Sequence, residues 1–155
     1  MKKFLVFVLV VAIAGAAVYY LFPGLFVEVP TAGMAKDAVE DLVAGQSKDI
    51  KIELFQKTDG QERTDDAGVR HYALDYECVG KFKKNTMWSF GGNGFQTTDP
   101  LPEKTSRKER KAAEARLAGK QPAKAGETVV VKGTVAFEFK ESGWVVSNTT
   151  LDLDR

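Results

Sequence analysis

Few side chains of this sequence could do nucleophilic, acid–base or metal chemistry. The chain has one histidine, His71, and one cysteine, Cys78. Along one extended strand seven residues span roughly 23 Å, so these two side chains cannot form a catalytic dyad within it. Zinc and iron sites need several such ligands, and the carboxylates are not clustered at ligand spacing. We therefore expect no metal site, no cofactor and no covalent catalysis.

A pair of carboxylates could still supply a general acid or base. Asp75 and Glu77 alternate with apolar residues, and a carboxyl group held in an apolar pocket would have a raised pKa. The same alternation places both side chains on the face of a strand that is ordinarily solvated. We therefore interpret the pair as surface residues and expect that the protein is not an enzyme.

Four large aromatic residues are the candidates for binding a small ligand. Aromatic side chains with a polar edge commonly line a concave sheet or an interface. Packing in an ordinary core is the alternative interpretation of the same residues. A pocket between a helix and a sheet would be lined by Tyr72, Tyr76, Trp88 and Trp144.

A basic segment is the candidate for binding a partner. Residues 103–124 hold eight basic and three acidic side chains, a local charge of +5. Three interpretations are open: a solvated helix face, a docking surface for an acidic partner, and a contact with anionic lipid headgroups, where each cation gains about 1 kcal/mol. The interaction surface would consist of Arg107, Lys108, Arg110, Lys111 and Arg116.

The N-terminal segment has the composition of a transmembrane helix. Lys2 and Lys3 precede nineteen residues without charge, Phe4 to Phe22. About twenty apolar residues cross a hydrocarbon core of roughly 30 Å. The basic pair fits the positive-inside preference, and aromatic residues stand where the far interface would be. We expect this segment to anchor the protein in the lipid bilayer as a single pass. Its N-terminus would be cytosolic, and the rest would lie in the periplasm or outside the cell.

A cleavable signal peptide is the alternative interpretation of that segment. The runs AIA at 12–14 and AGA at 14–16 both have the small-x-small pattern of a cleavage site. Cleavage there would leave an exposed apolar tail, and the apolar run is longer than the usual core of about 7 to 15 residues. These points favour a retained anchor, and both interpretations export the domain.

The chain divides into an anchor, a tether and one domain. Residues 1–22 are the anchor, and residues 23–30, which begin with Pro-Gly and end in proline, are a short tether. Residues 31–155 are enough for one domain with a core and too few for two. Within them, 103–120 is predicted to be a charged helical excursion.

Charge and cysteine content limit the partners and the means of stabilisation. Without Lys2 and Lys3 the chain holds 20 basic and 21 acidic residues, which gives no electrostatic basis for binding nucleic acid. Cys78 has no second cysteine to pair with, so packing must stabilise the exported domain without a disulfide. We interpret Cys78 as a buried small apolar residue.

Hydrophobic periodicity predicts one helix before the first strand. The first strand should begin at Ile50 and end at the turn signal Thr58-Asp59-Gly60, with a polar loop over 61–68. The helix is indicated by apolar residues at three- and four-residue spacing, namely Met34, Ala35, Ala38, Val39, Leu42 and Val43.

Later segments alternate in the manner of strands. One strand is predicted from Val69 to about Phe82. A further pair is predicted around a turn at 91–94, where GGNG lacks the ending of a phosphate-binding loop. Ser106 and Glu109 fit a helix capping box. A final hairpin is predicted over 129–153. The apolar face of the long strand should consist of Tyr72, Leu74, Tyr76 and Cys78.

The order helix, strand, strand, helical excursion, strand, strand resembles the cystatin-like and NTF2-like α+β roll over residues 31–153. The KGTVAFEFKESGW run at 132–144 also looks like the closing hairpin of small exported bacterial domains of unknown function. The resemblance implies one helix packed on a curved antiparallel sheet of about four to six strands. The NTF2-like family tends to have more N-terminal helix than this chain. Such rolls include enzymes, ligand carriers and structural domains, so no functional residue can be transferred.

Two functions follow as hypotheses. The first is a membrane-anchored interaction or structural module of the cell envelope, with another envelope protein as its partner. The second is a small-ligand-binding or catalytic roll with a pocket between helix and sheet. A filled core with an exposed apolar or basic patch would favour the first, and an enclosed apolar cavity would favour the second.

Overall fold

The computed structural model describes residues 29–91, 94–102 and 106–153. The predicted anchor Phe4 to Phe22, and most of the tether that follows it, lie outside these residues. Within the described part, no helix is both long enough and apolar enough to cross a membrane.

The described residues form an α+β fold whose sheet pairs are all antiparallel. One helix packs on a curved sheet, as the sequence predicts. The two helices are α1 (Ala32–Gln46) and α2 (Arg107–Leu117). The strands are β1 (Ile50–Thr64), β2 (Arg70–Phe82), β3 (Thr86–Gly91), β4 (Gly94–Thr98), β5 (Gln121–Ala123), β6 (Thr128–Lys140), β7 (Gly143–Thr149) and β8 (Asp152–Leu153).

The strands form a large sheet and a small one. The large sheet has the order β1-β2-β6-β7, and β8 pairs with β6 further along the edge that β7 occupies. The small sheet has the order β4-β3-β5. Thus β1 and β7 are the two outer strands of the large sheet, with β2 and β6 between them.

Helix α1 covers the core face of the large sheet. Its N-cap is Thr31, whose hydroxyl accepts a hydrogen bond from the N–H of Met34, and this satisfies one of the free donors of the first turn. Ala35, Val39 and Val43 recur every four residues and are buried. They pack in the core with alternate residues of β2, as predicted, which are Tyr72, Leu74, Tyr76 and Cys78.

The first strand is longer than predicted. The turn expected at Thr58-Asp59-Gly60 is wrong, because β1 continues through these residues to Thr64 with only a register shift between Lys57 and Asp59. A Cβ at Gly60 would lie 2.1 Å from the Tyr72 hydroxyl oxygen. Gly60 therefore leaves space for the Tyr72 side chain of β2, and the turn lies further along the chain, after Thr64.

The real turn of the β1–β2 hairpin is organised by Asp65. Its carboxylate accepts hydrogen bonds from the N–H groups of Ala67 and Val69, at 3.0 and 2.9 Å. Its other oxygen lies 3.0 Å from Nε2 of His71. Such local side-chain bonds are the usual means by which aspartate stabilises a turn.

The final predicted strand is interrupted at Thr150 and Leu151, which separate β7 from β8. Here the Tyr76 hydroxyl donates a hydrogen bond to the Thr150 carbonyl oxygen, at 2.8 Å. That carbonyl lies over Gly133, where a Cβ would come within 2.0 Å of it. The break therefore depends on the absence of a side chain at Gly133.

Candidate functional site

The four aromatic residues predicted to line one pocket lie in three separate places. Tyr72 and Trp144 meet near the β1–β2 hairpin end of the sheet, with ring centroids 6.1 Å apart. Trp88 packs on Phe82, centroid to centroid 5.3 Å, and Phe82 is ten residues from Tyr72 along β2. That separation corresponds to roughly 30 Å.

The cluster around Trp144 is closed by cationic side chains. The Arg70 guanidinium carbon lies 5.1 Å from the ring centroids of both Phe139 and Trp144. Nε of Arg70 is 2.6 Å from a Glu62 carboxylate oxygen. Because the guanidinium already occupies these aromatic faces in a cation–π contact, they are not available to a ligand. Tyr72 and Trp144 are correspondingly 5% and 6% exposed.

Tyr76 lies in the middle of the core. Its ring stacks on Phe55, with centroids 5.1 Å apart, and its hydroxyl is hydrogen-bonded to Thr150. Burial raises the pKa of this phenol above its usual value. These contacts fix the β7–β8 connection and make Tyr76 a structural residue of the core.

Trp88 belongs to a second aromatic cluster at the small sheet. Its ring centroid is 5.9 Å from that of Phe95. The N–H of Phe95 donates to the Gln46 side-chain oxygen at 3.0 Å, which ties the end of α1 to β4. Trp88 also borders a surface cavity of about 540 Å³ with Lys120 and Leu153. Tyr72 does not border this cavity, so the two residues do not share a site.

The residues considered for acid–base and nucleophilic chemistry do not converge. Asp75 accepts a hydrogen bond of 2.6 Å from the Thr134 hydroxyl, and Glu77 is 3.5 Å from Nζ of Lys132. Cys78 is buried on the opposite face of β2, and burial raises the pKa of its thiol to about 11. A thiol with that pKa is overwhelmingly protonated at neutral pH and is a poor nucleophile.

His71 pairs with the turn carboxylate of Asp65. The hydrogen bond from His71 is the main cause of a lowered pKa at Asp65, and the Val69 N–H adds to it. Among the described residues, no group of three or more His, Cys, Asp or Glu side chains is placed to hold a metal ion.

Helix α2 contains the residues that were predicted to form a basic interaction surface. Ser106 and Glu109 form the capping box that the sequence predicts, and Ala113 is the residue that α2 buries. Arg107, Arg110 and Lys111 are exposed and share one face by their spacing. Arg116 is exposed on another side of the helix. The side chain of Lys108 lies outside the described part, so this surface stays a prediction.

A groove between α1 and β7 is the feature that the sequence did not indicate. It has a volume of about 610 Å³ and is open to solvent along its length. Its helical wall is the apolar row Met34, Ala38 and Leu42, and its strand wall includes Val146. These helix residues pack against the core and are only partly buried. No sequence pattern indicated the groove, because the position of Val146 on this face depends on its pairing with Phe137 of β6.

The rim of the groove is acidic. Asp37 and Asp41 are one helical turn apart on α1, and both border it. Their carboxylates form no ion pair with a described cation, whereas the neighbouring Glu40 lies 3.6 Å from Nζ of Lys36. The groove thus combines apolar walls with two solvated carboxylates.

Comparisons with protein-family models, with curated proteins and with solved structures gave no significant match. The candidate site is therefore described by its own geometry.

Proposed function

We propose that this protein is a membrane-anchored interaction module of the cell envelope. In this proposal Phe4 to Phe22 holds the protein in the bilayer with a cytosolic N-terminus. The described domain lies in the periplasm or outside the cell and binds another envelope protein. The short tether keeps the binding surface near the membrane.

One observation carries the proposal: the exposed apolar surface of β7 adjoins an open groove. Val146 is 39% exposed and pairs with the core residue Phe137, so it lies on the face of the sheet that α1 covers. There it borders the groove beside Met34 and Leu42. Contiguous exposed apolar surface rimmed by polar groups is typical of a protein interaction site.

The interior offers less support for a small-ligand carrier. Every fully buried side-chain polar atom among the described residues has a hydrogen-bond partner. The aromatic faces near Trp144 are covered by Arg70. A ligand pocket is mostly apolar with a few placed polar groups, and the four aromatic residues predicted to line one do not converge on a common cavity.

The test is site-specific photo-crosslinking of the full chain in its own membrane. A photoreactive residue replaces Val146 in the groove or, as the matched control, Leu54. Leu54 is 69% exposed on the opposite outer strand, β1. We expect a crosslinked envelope protein at position 146 and none at position 54. Recovery of the uncrosslinked chain alone from both positions would contradict the proposal.

A further inference from the structure

Strand β7 presents an edge to which another strand could be added. It pairs with β6 on one side, and it ends the order of the large sheet. An outer strand has main-chain N–H and C=O groups directed away from its sheet, and an extended peptide can bind to them by β-augmentation. The seven residues Gly143–Thr149 include no charged side chain that would oppose this.

The groove sets where the side chains of an added strand would lie. It follows α1 from Met34 to Leu42, eight residues or about 12 Å, and β7 from Val146 to Thr149. A strand beside β7 would direct alternate side chains into it. About three to four residues of extended chain would fit along this length.

The residues that line the groove favour one class of side chain in a bound partner. Most of the groove is apolar, and its charged residues are both acidic, Asp37 and Asp41. The full lining is Met34, Asp37, Ala38, Asp41, Leu42, Val146, Asn148 and Thr149. Lysine and arginine have a long aliphatic stem that packs on apolar surface and a cationic head that stays solvated. The aliphatic stems can pack on the apolar residues of the groove, and the cationic heads can pair with the carboxylates of Asp37 and Asp41.

A second copy of this chain fits less well. A symmetric β7–β7 pairing would place both α1 helices on one face of the joined sheet and turn their acidic rims toward each other. The β7 sequence also contains no lysine or arginine to approach Asp37 and Asp41. Like charges across an interface oppose association.

We infer that the β7–α1 groove binds an extended segment of a partner protein that has lysine or arginine at alternate positions. The segment adds to the edge of β7 that pairs with no described strand, and its cationic side chains lie along the groove toward Asp37 and Asp41. This inference rests on the proposed interaction function and specifies the chemistry of the partner.

The test uses the full chain in nanodiscs of neutral phosphatidylcholine, with labelled seven-residue peptides as probes. One peptide alternates threonine and lysine, the second alternates threonine and glutamate, and the third is the lysine peptide with its central threonine replaced by proline. Fluorescence anisotropy measures affinity, and hydrogen exchange measures protection of the β7 amides. We expect the lysine peptide to bind at least tenfold more tightly than the other two and to protect β7.

Charge variants give the matched controls. The double variant Asp37→Asn, Asp41→Asn should lower the affinity for the lysine peptide about five- to tenfold, the effect of two partly exposed ion pairs. Glu40→Gln, on the same helix but paired with Lys36, should change it less than twofold. Circular dichroism of each variant checks that the fold is retained.

The outcomes separate the inference from the function on which it rests. Equal binding of the three peptides, protection outside β7, or no effect of the Asp37 and Asp41 changes would overturn the inference. So would capture of only a second copy of the chain from position 146. If an envelope protein is still crosslinked at Val146 in those cases, the interaction function stands and only the partner chemistry is wrong.

Discussion

The two outer strands of the large sheet, β1 and β7, differ in how they are protected. Strand β1 has fifteen residues and two register shifts. It has acidic and basic side chains along its length, and one of them, Glu53, pairs with Lys81 at 3.2 Å. Bulges and charges are the means by which sheet proteins prevent unwanted pairing of an edge. The long edge is therefore protected by its own sequence.

Strand β7 has a different character. It has seven residues, no charge and two exposed valines. Its one irregularity is at Ser147, whose hydroxyl donates to the Ala136 carbonyl oxygen at 3.1 Å. An uncharged edge with exposed valines beside a groove would be open to unwanted pairing in a monomer without a partner. This contrast between the strands is the reason for proposing β7 as the binding edge.

The largest expected effect concerns two glycines, Gly60 within β1 and Gly133 on β6 beside the β7–β8 connection. In Gly133→Ala the new Cβ would be 2.0 Å from the Thr150 carbonyl oxygen, a main-chain atom that cannot move alone. In Gly60→Ala it would meet the Tyr72 hydroxyl and the end of Lys57. We expect Gly133→Ala to lower the free energy of unfolding by about 3 kcal/mol, and Gly60→Ala by about 1 kcal/mol.

Urea unfolding of the full chain in detergent micelles, followed by fluorescence of Trp88 and Trp144, measures both variants. If Gly60→Ala is the more destabilising, the β7–β8 connection does not depend on Gly133 as described.

A smaller effect should come from two tyrosine hydroxyls. Tyr76→Phe leaves the Thr150 carbonyl without its 2.8 Å partner and should cost about 1 to 2 kcal/mol of unfolding free energy. Tyr72→Phe removes the acceptor of a 2.6 Å bond from Lys57. It should cost less than about 1 kcal/mol, because the ammonium group can return to water. The same urea titration compares the two variants. Equal losses of unfolding free energy would contradict the expectation that the Tyr76 hydroxyl contributes more than the Tyr72 hydroxyl.

The smallest effect concerns the turn at the end of β1. The pKa of Asp65 is lowered by its hydrogen bonds to His71 and Val69. Its ionised form therefore contributes stability that is present above the ordinary pKa near 4 and is lost as the pH falls through the lower folded-state value. Asp65→Asn should reduce stability slightly at pH 6 and flatten its fall as the pH drops below about 4. An unchanged pH dependence in this variant would show that another carboxylate is responsible.

Local signals predicted much of the fold. The alternation from Tyr72 to Cys78 is a pattern within one strand, and the Ser106 capping box is complete within four residues, so both could be recognised without tertiary information. Asp59-Gly60 has the same form as a turn signal. Only its neighbour across the strand pair, the Tyr72 ring, shows why a glycine is needed there.

The candidate site depends on contacts that sequence patterns do not contain. Met34 and Val146 are more than one hundred residues apart in the chain and meet at one groove. The packing of Arg70 on Trp144 likewise joins distant strands, so an aromatic residue predicted for ligand binding is covered. The sequence could supply the apolar and acidic residues of α1, but not the strand that they face.

The most direct test of the account compares truncation of an exposed apolar side chain on each edge. Each variant, Val146→Ser or Leu54→Ser, is expressed as the full chain in its native membrane. After mild crosslinking and purification in detergent, the amount of partner recovered with the chain is measured. We predict that Val146→Ser lowers recovery about five- to tenfold, as loss of about 1 kcal/mol of apolar contact requires, while Leu54→Ser changes it less than twofold. Equal recovery from the two variants, or a larger loss from Leu54→Ser, would contradict the assignment of β7 as the binding edge.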